Sequence, residues 1–481
     1  MPARPPESHP LLRSGALEQL LLRLEALAPL QVLSELAPWL QSLADMTLAP
    51  EWRARLLCTL DDAADRATRA CAGLYLAACH SAADAGQSVW RPVHQHWLLL
   101  QQAAQALLPP GHAHAEPAWL ARICVLALHA GGERARWEAF VHGPSTDEVW
   151  SSLNQAYAAA VHGGVARTHC TRGDLLAAAT SAELEYLRAV ALHSLGPDQF
   201  DPLDIELGAR LIDRVLPWLE FSPSPMLSVQ TWVDVARDAP PARLLHTPRD
   251  SVLPRYFNAT PAIARLQQLL DLDSLGQLPP ELLQGTTASG AARVLSHMIR
   301  VWSDEAPLRR ERRHTMPARM QVVSGFAEVL AVLQGRPPGW RHWQVRDASL
   351  HGLGVEMSAD QGADLPLGSL LALRPDDGTC WRLGVMRRRW YAQAGQLQCG
   401  VELFSGRLDV VRVDDGAQRC EVLLLDPLQH GAPLRLILPL RLGMSPRPLF
   451  VFEASTPVRL QPLPGQECGP DYLLRSFHVP A

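Results

Sequence analysis

Four arginines stand within five consecutive residues, Arg309-Arg310-Glu311-Arg312-Arg313. Each carries a planar, permanently charged guanidinium that donates several hydrogen bonds in a fixed fork. A basic run of this kind suits an anionic ligand or a nucleic acid, and it is equally typical of a solvated linker. The cluster therefore needs a second element before it indicates a site.

A second polar group, Asp347-Ala348-Ser349-Leu350-His351-Gly352, follows Val345 and precedes Leu353. By itself it predicts a tight turn between two strands, because Asp and Ser hydrogen-bond their own backbone and Gly adopts conformations that other residues avoid. Its position after the arginine cluster, with one long strand candidate between them, is more informative. The chain has the order RxxxR (Arg309, Arg313), strand, DxSxxG (Asp347, Ser349, Gly352), then further strands.

This two-part pattern resembles the PilZ domain, the bacterial receptor module for cyclic di-GMP. The resemblance covers residues 309–405, about one fifth of the chain. As a whole-chain organisation, a helical N-terminal region followed by a PilZ domain also resembles proteins of proteobacterial type.

The resemblance implies a role for each motif residue. Arg309 and Arg313 would bind the O6/N7 edge of guanine, stack on the base or bind phosphate, from a leader that is mobile without ligand. Asp347 would accept hydrogen bonds from guanine N1–H and N2–H, and Ser349 would donate or accept through its hydroxyl. Gly352 would keep the backbone close to the base, where a Cβ would collide.

Other arginines are additional candidates. A tandem-arginine leader would have a third arginine where His314 stands, so only the RxxxR minimum is present, and Arg310 and Arg312 are candidates to share its role. Arg346 is a candidate to pair with Asp347 or to contact phosphate. In the run Arg387-Arg388-Arg389, strand alternation predicts the first and third arginines on one face and the second on the other. This run is interpreted as a polar strand end, with a phosphate contact as the alternative.

The elements that must position these residues change character near residue 305. Before it, helical periodicity and helix signals dominate, such as the capping box predicted at Thr180 and Glu183. After residue 318 the pattern is one of short strands separated by turn signals, which predicts a small antiparallel barrel. The strand candidates are Met320–Leu333, Trp343–Arg346, Gly352–Met357, Ser369–Arg374, Trp381–Trp390 and Leu397–Phe404.

We therefore predict an α+β multidomain protein. Residues 1–305 form an all-α helical region of one or two subdomains, with a break near 108–118 left open. Residues 306–406 form a PilZ-like antiparallel β barrel with its arginine leader, and residues 407–481 form a small additional β element.

Composition limits the function classes. The chain has 481 residues and a net charge of −5, and all 44 of its basic residues are arginine. This mildly acidic balance argues against a nucleic-acid partner, although binding through the arginine runs stays an alternative. With no membrane-length apolar stretch and no export signal, we expect a cytoplasmic protein without a membrane partner. Nine scattered cysteines fit reduced thiols there.

Metal and catalytic motifs are not predicted. His94 and His96, and also His112 and His114, lack the three or four converging ligands that a metal site needs. Gly-rich phosphate loops, GxSxG and HExxH are absent from the sequence, so we predict neither an enzyme nor a cofactor.

The sequence thus predicts a receptor or adaptor that binds cyclic di-GMP at the barrel and acts on an unknown protein partner through its helical region. The alternative is a degenerate PilZ protein that serves as a ligand-free scaffold.

Overall fold

A computed structural model gives two compact units, Met1–Pro307 and Leu308–Ala481. It describes the whole chain except residues 1–8, 14, 45–47, 79–82, 109–116, 172–178, 247–249, 285–287, 304–311, 337–338, 363, 393–395, 407, 444–447, 454–455 and 481.

The first unit is mainly helical. Short 3-10 turns occur at Pro10–Leu12, Pro197–Gln199 and Leu216–Trp218. The helices are α1 (Ala16–Glu25), α2 (Pro29–Ala44), α3 (Pro50–Ala78), α4 (Ala83–Gln105), α5 (Pro117–His142), α6 (Asp147–His162), α7 (Ala182–Ser194), α8 (Pro202–Val215), α9 (Thr260–Ser274), α10 (Pro280–Leu283) and α11 (Ala288–Trp302).

One apolar core joins these helices, including those on either side of residues 109–116. Helix α5 is central, because it packs against α3, α4, α6, α7 and α8. Its apolar residues point to all sides, as expected of a helix surrounded by others. Trp137 on α5 and Trp150 on α6 are almost completely buried.

A small antiparallel sheet interrupts the helical region between α8 and α9. Its strands are β1 (Glu220–Ser222), β2 (Thr231–Asp234), β3 (Ala242–Arg243) and β4 (Pro254–Asn258), in the spatial order β1-β4-β2-β3. The predicted all-α description of residues 1–305 omitted this sheet.

A buried carboxylate supports the start of α7. The N-cap of this helix is Ser181, which accepts from the Leu184 N–H at 3.3 Å, one residue after the predicted Thr180. Glu185 is 6% exposed and bonded by His129 (3.1 Å), Thr180 (2.6 Å) and Arg188 (2.6 Å). Burial raises the pKa of Glu185, but these partners outweigh that effect and lower it to about 2.

The lowered pKa of Glu185 predicts that the folded first unit loses stability in acid. Because the folded pKa of Glu185 lies below the ordinary value of 4.5, its stabilisation is present above pH 4.5 and is lost as the pH falls to about 2. Glu185→Gln should flatten the stability of the first unit over that window, measured by denaturant unfolding at several pH values. An equal pH slope in the wild type and the variant would contradict the assignment.

The second unit begins with a closed six-stranded barrel. Its strands are β5 (His314–Ser324), β6 (Arg341–Ser349), β7 (Gly352–Ser358), β8 (Leu370–Pro375), β9 (Arg382–Tyr391) and β10 (Gln396–Leu403), with helices α12 (Phe326–Leu333) and α13 (Ala359–Gly362) between them. The barrel closes in the order β5-β6-β7-β10-β9-β8. Alternate residues such as Leu353, Val355 and Met357 fill its interior, so their neighbours face outward.

A second closed barrel follows. It contains β11 (Asp409–Asp414), β12 (Arg419–Leu424), β13 (Pro433–Pro439), β14 (Leu449–Glu453), β15 (Thr456–Cys468) and β16 (Tyr472–His478), with the short α14 (Leu440–Gly443) after β13. The ring order is β11-β12-β13-β16-β15-β14. The small β element predicted after residue 407 is thus a complete six-stranded barrel.

The two barrels share an apolar core. It combines Val329 of α12 and Val385 of the first barrel with Leu423, Ile437 and Tyr472 of the second. Asp471, next to Tyr472, accepts the Phe326 N–H at 2.6 Å and so caps α12 from the other barrel. The barrels therefore form one packed body.

The α+β class, with a helical region followed by antiparallel barrels, is confirmed. One predicted strand was wrong in its second half, because Met320–Leu333 divides into the end of β5 and helix α12. Gly325, at φ +92°, separates the two elements in a conformation that favours glycine.

Candidate ligand-binding site

The DxSxxG residues lie on one hairpin of the first barrel. Asp347 and Ser349 end β6 and Gly352 begins β7, with Asp347 opposite Gly354 and Ser349 opposite Gly352. The Ser349 hydroxyl donates to the Gly352 carbonyl at 3.4 Å, which closes the predicted turn. All three motif positions face outward, because Ala348 and Leu353 between them pack on the interior.

A β-bulge turns Asp347 to this outer face. The register between β6 and β7 shifts between Val345 and Asp347, so Arg346 is the extra residue. Arg346 bonds Gln398 and lies 3.7 Å from Glu356. The candidate pairing of Arg346 with Asp347 was therefore wrong, since the bulge directs Arg346 to the neighbouring strands.

Arg313 joins the two halves of the motif. It directly precedes β5, which pairs with β6, and its Nη1 donates to Asp347 Oδ1 at 2.7 Å. The side chains of Arg313 and Asp347 are 27% and 35% exposed. A pair this exposed is worth about 0–1 kcal/mol. A ligand that hydrogen-bonds to both Arg313 and Asp347 can therefore replace this ion pair with little loss of free energy.

The glycines of β7 create the space for these charged groups. A Cβ on Gly352 would lie 3.4 Å from Arg313 Nη2 and 3.3 Å from the Val401 carbonyl oxygen. A Cβ on Gly354 would lie 2.7 Å from Asp347 Oδ2, which is too close for any side chain there. The sequence interpretation missed Gly354, although its spacing of two from Gly352 puts both on one face of a strand.

Another bulge changes the predicted pattern of Arg387-Arg388-Arg389. The register between β9 and β10 shifts at Gly400, so Arg388 opposes Gly400 and Met386 opposes Val401. Arg387 is the extra residue and bonds Glu402 at 2.6 Å and Glu467 of the second barrel at 3.0 Å. Arg389 donates to the Leu365 carbonyl at 2.9 Å. It therefore does not lie on the same face as Arg387, although strict alternation had predicted that it would.

The ion pairs of Arg387 stabilise its charged form. Burial lowers the pKa of this guanidinium, but Glu467 and Glu402 outweigh burial and hold the pKa above its ordinary value. Arg387 is thus a fixed structural contact between the barrels.

The rest of the arginine leader is only partly described. Arg309 and Arg310 lie outside the described residues, and Arg312 is exposed. The roles proposed for Arg309, Arg310 and Arg312 stay predictions.

Other site classes gain no support from the described residues. Among them no three His, Cys, Asp or Glu side chains are grouped as metal ligands would be, and His112 and His114 fall in the undescribed segment 109–116. His94 lies 3.1 Å from Glu138 as a structural pair. No helix in the described part of the chain has the length and apolarity to cross a membrane.

Comparison with known proteins finds a family match in the helical region. Residues 15–225 match the family model described as cyclic-di-GMP receptor FimW, N-terminal domain. The match lies in the helical region, whereas the sequence motifs lie at 309–352. It confirms the resemblance to cyclic di-GMP receptors by a different part of the chain.

A solved structure also matches, that of the Borreliella burgdorferi PlzA protein in complex with c-di-GMP. The match has 10% sequence identity, covers 36% of this chain and 90% of that chain, and has a TM-score of 0.15. The search of curated proteins gave no match.

Proposed function

We propose that this protein is a cytoplasmic cyclic di-GMP receptor that acts as an adaptor and not as an enzyme. The observation that carries the proposal is the Arg313–Asp347 contact of 2.7 Å, which joins the two halves of the motif on one outer face of the barrel. The family match of residues 15–225 to a cyclic-di-GMP receptor supports the same function.

The chemistry of the site fits the ligand. A guanine has N1–H and N2–H donors that the Asp347 carboxylate accepts, and an O6/N7 edge that a guanidinium recognises with two hydrogen bonds. The two phosphates attract the remaining arginines of the leader. Ser349 and the backbone of Gly352 complete the contact surface at the hairpin.

We propose that ligand binding draws Arg309 toward the barrel, where Arg313 already contacts Asp347. This change would alter the leader that connects the helical region to the barrels and so affect a protein partner. The ligand would shift the equilibrium only by its difference in affinity for the two arrangements.

A ligand-free scaffold is the second candidate. The same ion pair favours it, because Arg313 already satisfies the Asp347 carboxylate. Calorimetric titration of the full chain separates the two candidates. We expect saturable heat with cyclic di-GMP, and no heat at tens of micromolar ligand would favour the scaffold.

Nucleic-acid binding through the arginine runs predicts a different result. Retention of RNA or DNA would weaken steeply with salt, whereas a small dianionic ligand gives a shallow salt dependence. Binding of RNA or DNA and binding of cyclic di-GMP, each measured at two salt concentrations, distinguish these cases.

A further inference from the structure

A second carboxylate lies on the outer face of the motif hairpin. Glu402 of β10 pairs directly with Gly352, which pairs on its other side with Ser349. Val401 and Leu403, the neighbours of Glu402, pack in the barrel interior, so Glu402 faces outward with the motif residues. The row across the three strands is therefore Ser349, Gly352 and Glu402.

Glu402 is bonded to an arginine in the same way as Asp347. Arg387 Nε donates to Glu402 Oε2 at 2.6 Å, and Arg313 Nη1 donates to Asp347 Oδ1 at 2.7 Å. Arg313 also covers Gly352, because its Nη2 lies 3.4 Å from the position of a Cβ there. Two pairs of a carboxylate and a guanidinium therefore flank the motif glycine, one from the β6 side and one from the β10 side.

Glu402 is fixed in orientation and is also open to a ligand. Its side chain is 54% exposed, and none of the described residues donates a hydrogen bond to its Oε1 atom. Arg387 is itself held by Glu467 of the second barrel at 3.0 Å, so the oxygen that it binds is held too. Because each carboxylate oxygen accepts more than one hydrogen bond, Glu402 presents an acceptor beside the motif.

The two carboxylates are far enough apart to contact different bases. Asp347 is two residues before Ser349 along β6, and Glu402 is two strands away from Ser349 across the barrel. These steps place the backbones of Asp347 and Glu402 about 12 Å apart. A cyclic dinucleotide carries its two bases on separate riboses of one ring, so recognition of both bases needs acceptors at two separate places.

We propose that Glu402 is a specificity-determining residue that accepts the N1–H and N2–H donors of the second guanine of the ligand, while Asp347 accepts those of the first. This inference rests on the proposed function, since it assigns a further contact to the same ligand. A phosphate beside Glu402 would be repelled by its charge, whereas the edge of a guanine offers donors to it. The sequence motifs do not include Glu402, because it meets Gly352 only through strand pairing.

Three cyclic dinucleotides that differ by one base at a time test this assignment. The wild type and Glu402→Ala are titrated calorimetrically with cyclic di-GMP, cyclic GMP–AMP and cyclic di-AMP. Adenine lacks both the N1–H and the N2–H donor. We expect the wild type to prefer cyclic di-GMP to cyclic GMP–AMP by roughly 5- to 150-fold, and Glu402→Ala to lose most of that preference. Glu402→Ala should still prefer cyclic GMP–AMP to cyclic di-AMP, because Asp347 continues to recognise one guanine.

A conservative variant separates hydrogen bonding from packing. Glu402→Gln keeps the size of the side chain but has a single acceptor oxygen, which cannot serve the two guanine donors as a carboxylate does. We expect it to lose the preference for cyclic di-GMP over cyclic GMP–AMP nearly as far as Glu402→Ala, while its thermal unfolding stays near that of the wild type.

Glu421→Ala is the matched control. Glu421 of β12 also links the two barrels, because it accepts from Gln334, and it also lies near an arginine, with Arg412 at 3.7 Å. Gln334 follows α12, which comes after the opposite end of β5 from Arg313. We expect Glu421→Ala to keep the wild-type order of preference. An equal loss in Glu421→Ala and Glu402→Ala would show an effect of the barrel contact, and the assignment of Glu402 would be wrong.

The outcomes separate this inference from the proposed function. If Glu402→Ala keeps the wild-type preference for cyclic di-GMP over cyclic GMP–AMP, or the wild type has none, the role of Glu402 is overturned and the receptor function stands. If Glu402→Ala weakens all three ligands equally, Glu402 recognises no base and its assignment is again overturned. If the wild type binds none of the three, the receptor function and this inference both fail.

Discussion

Replacing Asp347 with alanine is expected to weaken cyclic di-GMP binding by about 1–3 kcal/mol, or roughly 5- to 150-fold. The carboxylate is the acceptor for guanine donors and also holds Arg313 at 2.7 Å, so its loss removes one contact and releases another. Calorimetric titration of the folded variant measures the effect. Arg313→Ala should fall in the same range, because it removes the other half of the pair.

Asp364→Ala is the matched control for this experiment. Asp364 also binds an arginine, Arg341, at 2.6 Å, on the same barrel. Arg341 is six residues before Asp347 on β6, about 20 Å away along the strand. We therefore expect loss of the Arg341–Asp364 ion pair to leave cyclic di-GMP affinity unchanged. If Asp364→Ala and Asp347→Ala reduce affinity equally, the effect is one of barrel stability and the site assignment is wrong.

The largest effect on stability is expected for Tyr472→Ala. Tyr472 is completely buried in the core that the two barrels share. Removing a large aromatic side chain from such a core costs about 3–5 kcal/mol. For a unit of this size that should lower the melting temperature by roughly 6–20 °C. Because the core belongs to both barrels, we expect them to melt together in calorimetry.

Tyr472→Phe provides the control. The Tyr472 hydroxyl is buried with no hydrogen-bond partner among the described residues, so its removal should be neutral or slightly stabilising. Two separate barrel transitions, of which Tyr472→Ala moves only one, would show that the barrels are not a single cooperative body.

The sequence allowed prediction of the elements that local pattern encodes. Alternating apolar residues and turn signals predicted the hairpin of Asp347 and Gly352, and the order of the motifs predicted that Arg313 lies beside it. The short strands β1 to β4 were missed, because two to five residues are too few for periodicity to register. The closure of residues 408–480 into a barrel depends on long-range strand pairing that no local pattern contains.

The sequence also did not allow correct prediction of the direction of side chains at the β-bulges. Strict alternation predicted Arg387 and Arg389 on one face, but the pairing of β9 with β10 sets Arg387 and Arg388 together on the outside. In the same way, adjacency in sequence suggested that Arg346 pairs with Asp347. A bulge arises from how two strands fit each other, so the sequence of one strand does not reveal it.

Ring closure of both barrels restricts how this half of the protein can recognise other chains. Every strand of each ring has a partner on both sides, so neither ring has a free edge strand. A polypeptide cannot extend either ring by adding a strand of its own. Among the described sheets, only the small one with β1 and β3 at its borders offers that mode of recognition, and a partner of the barrels must be recognised through side chains.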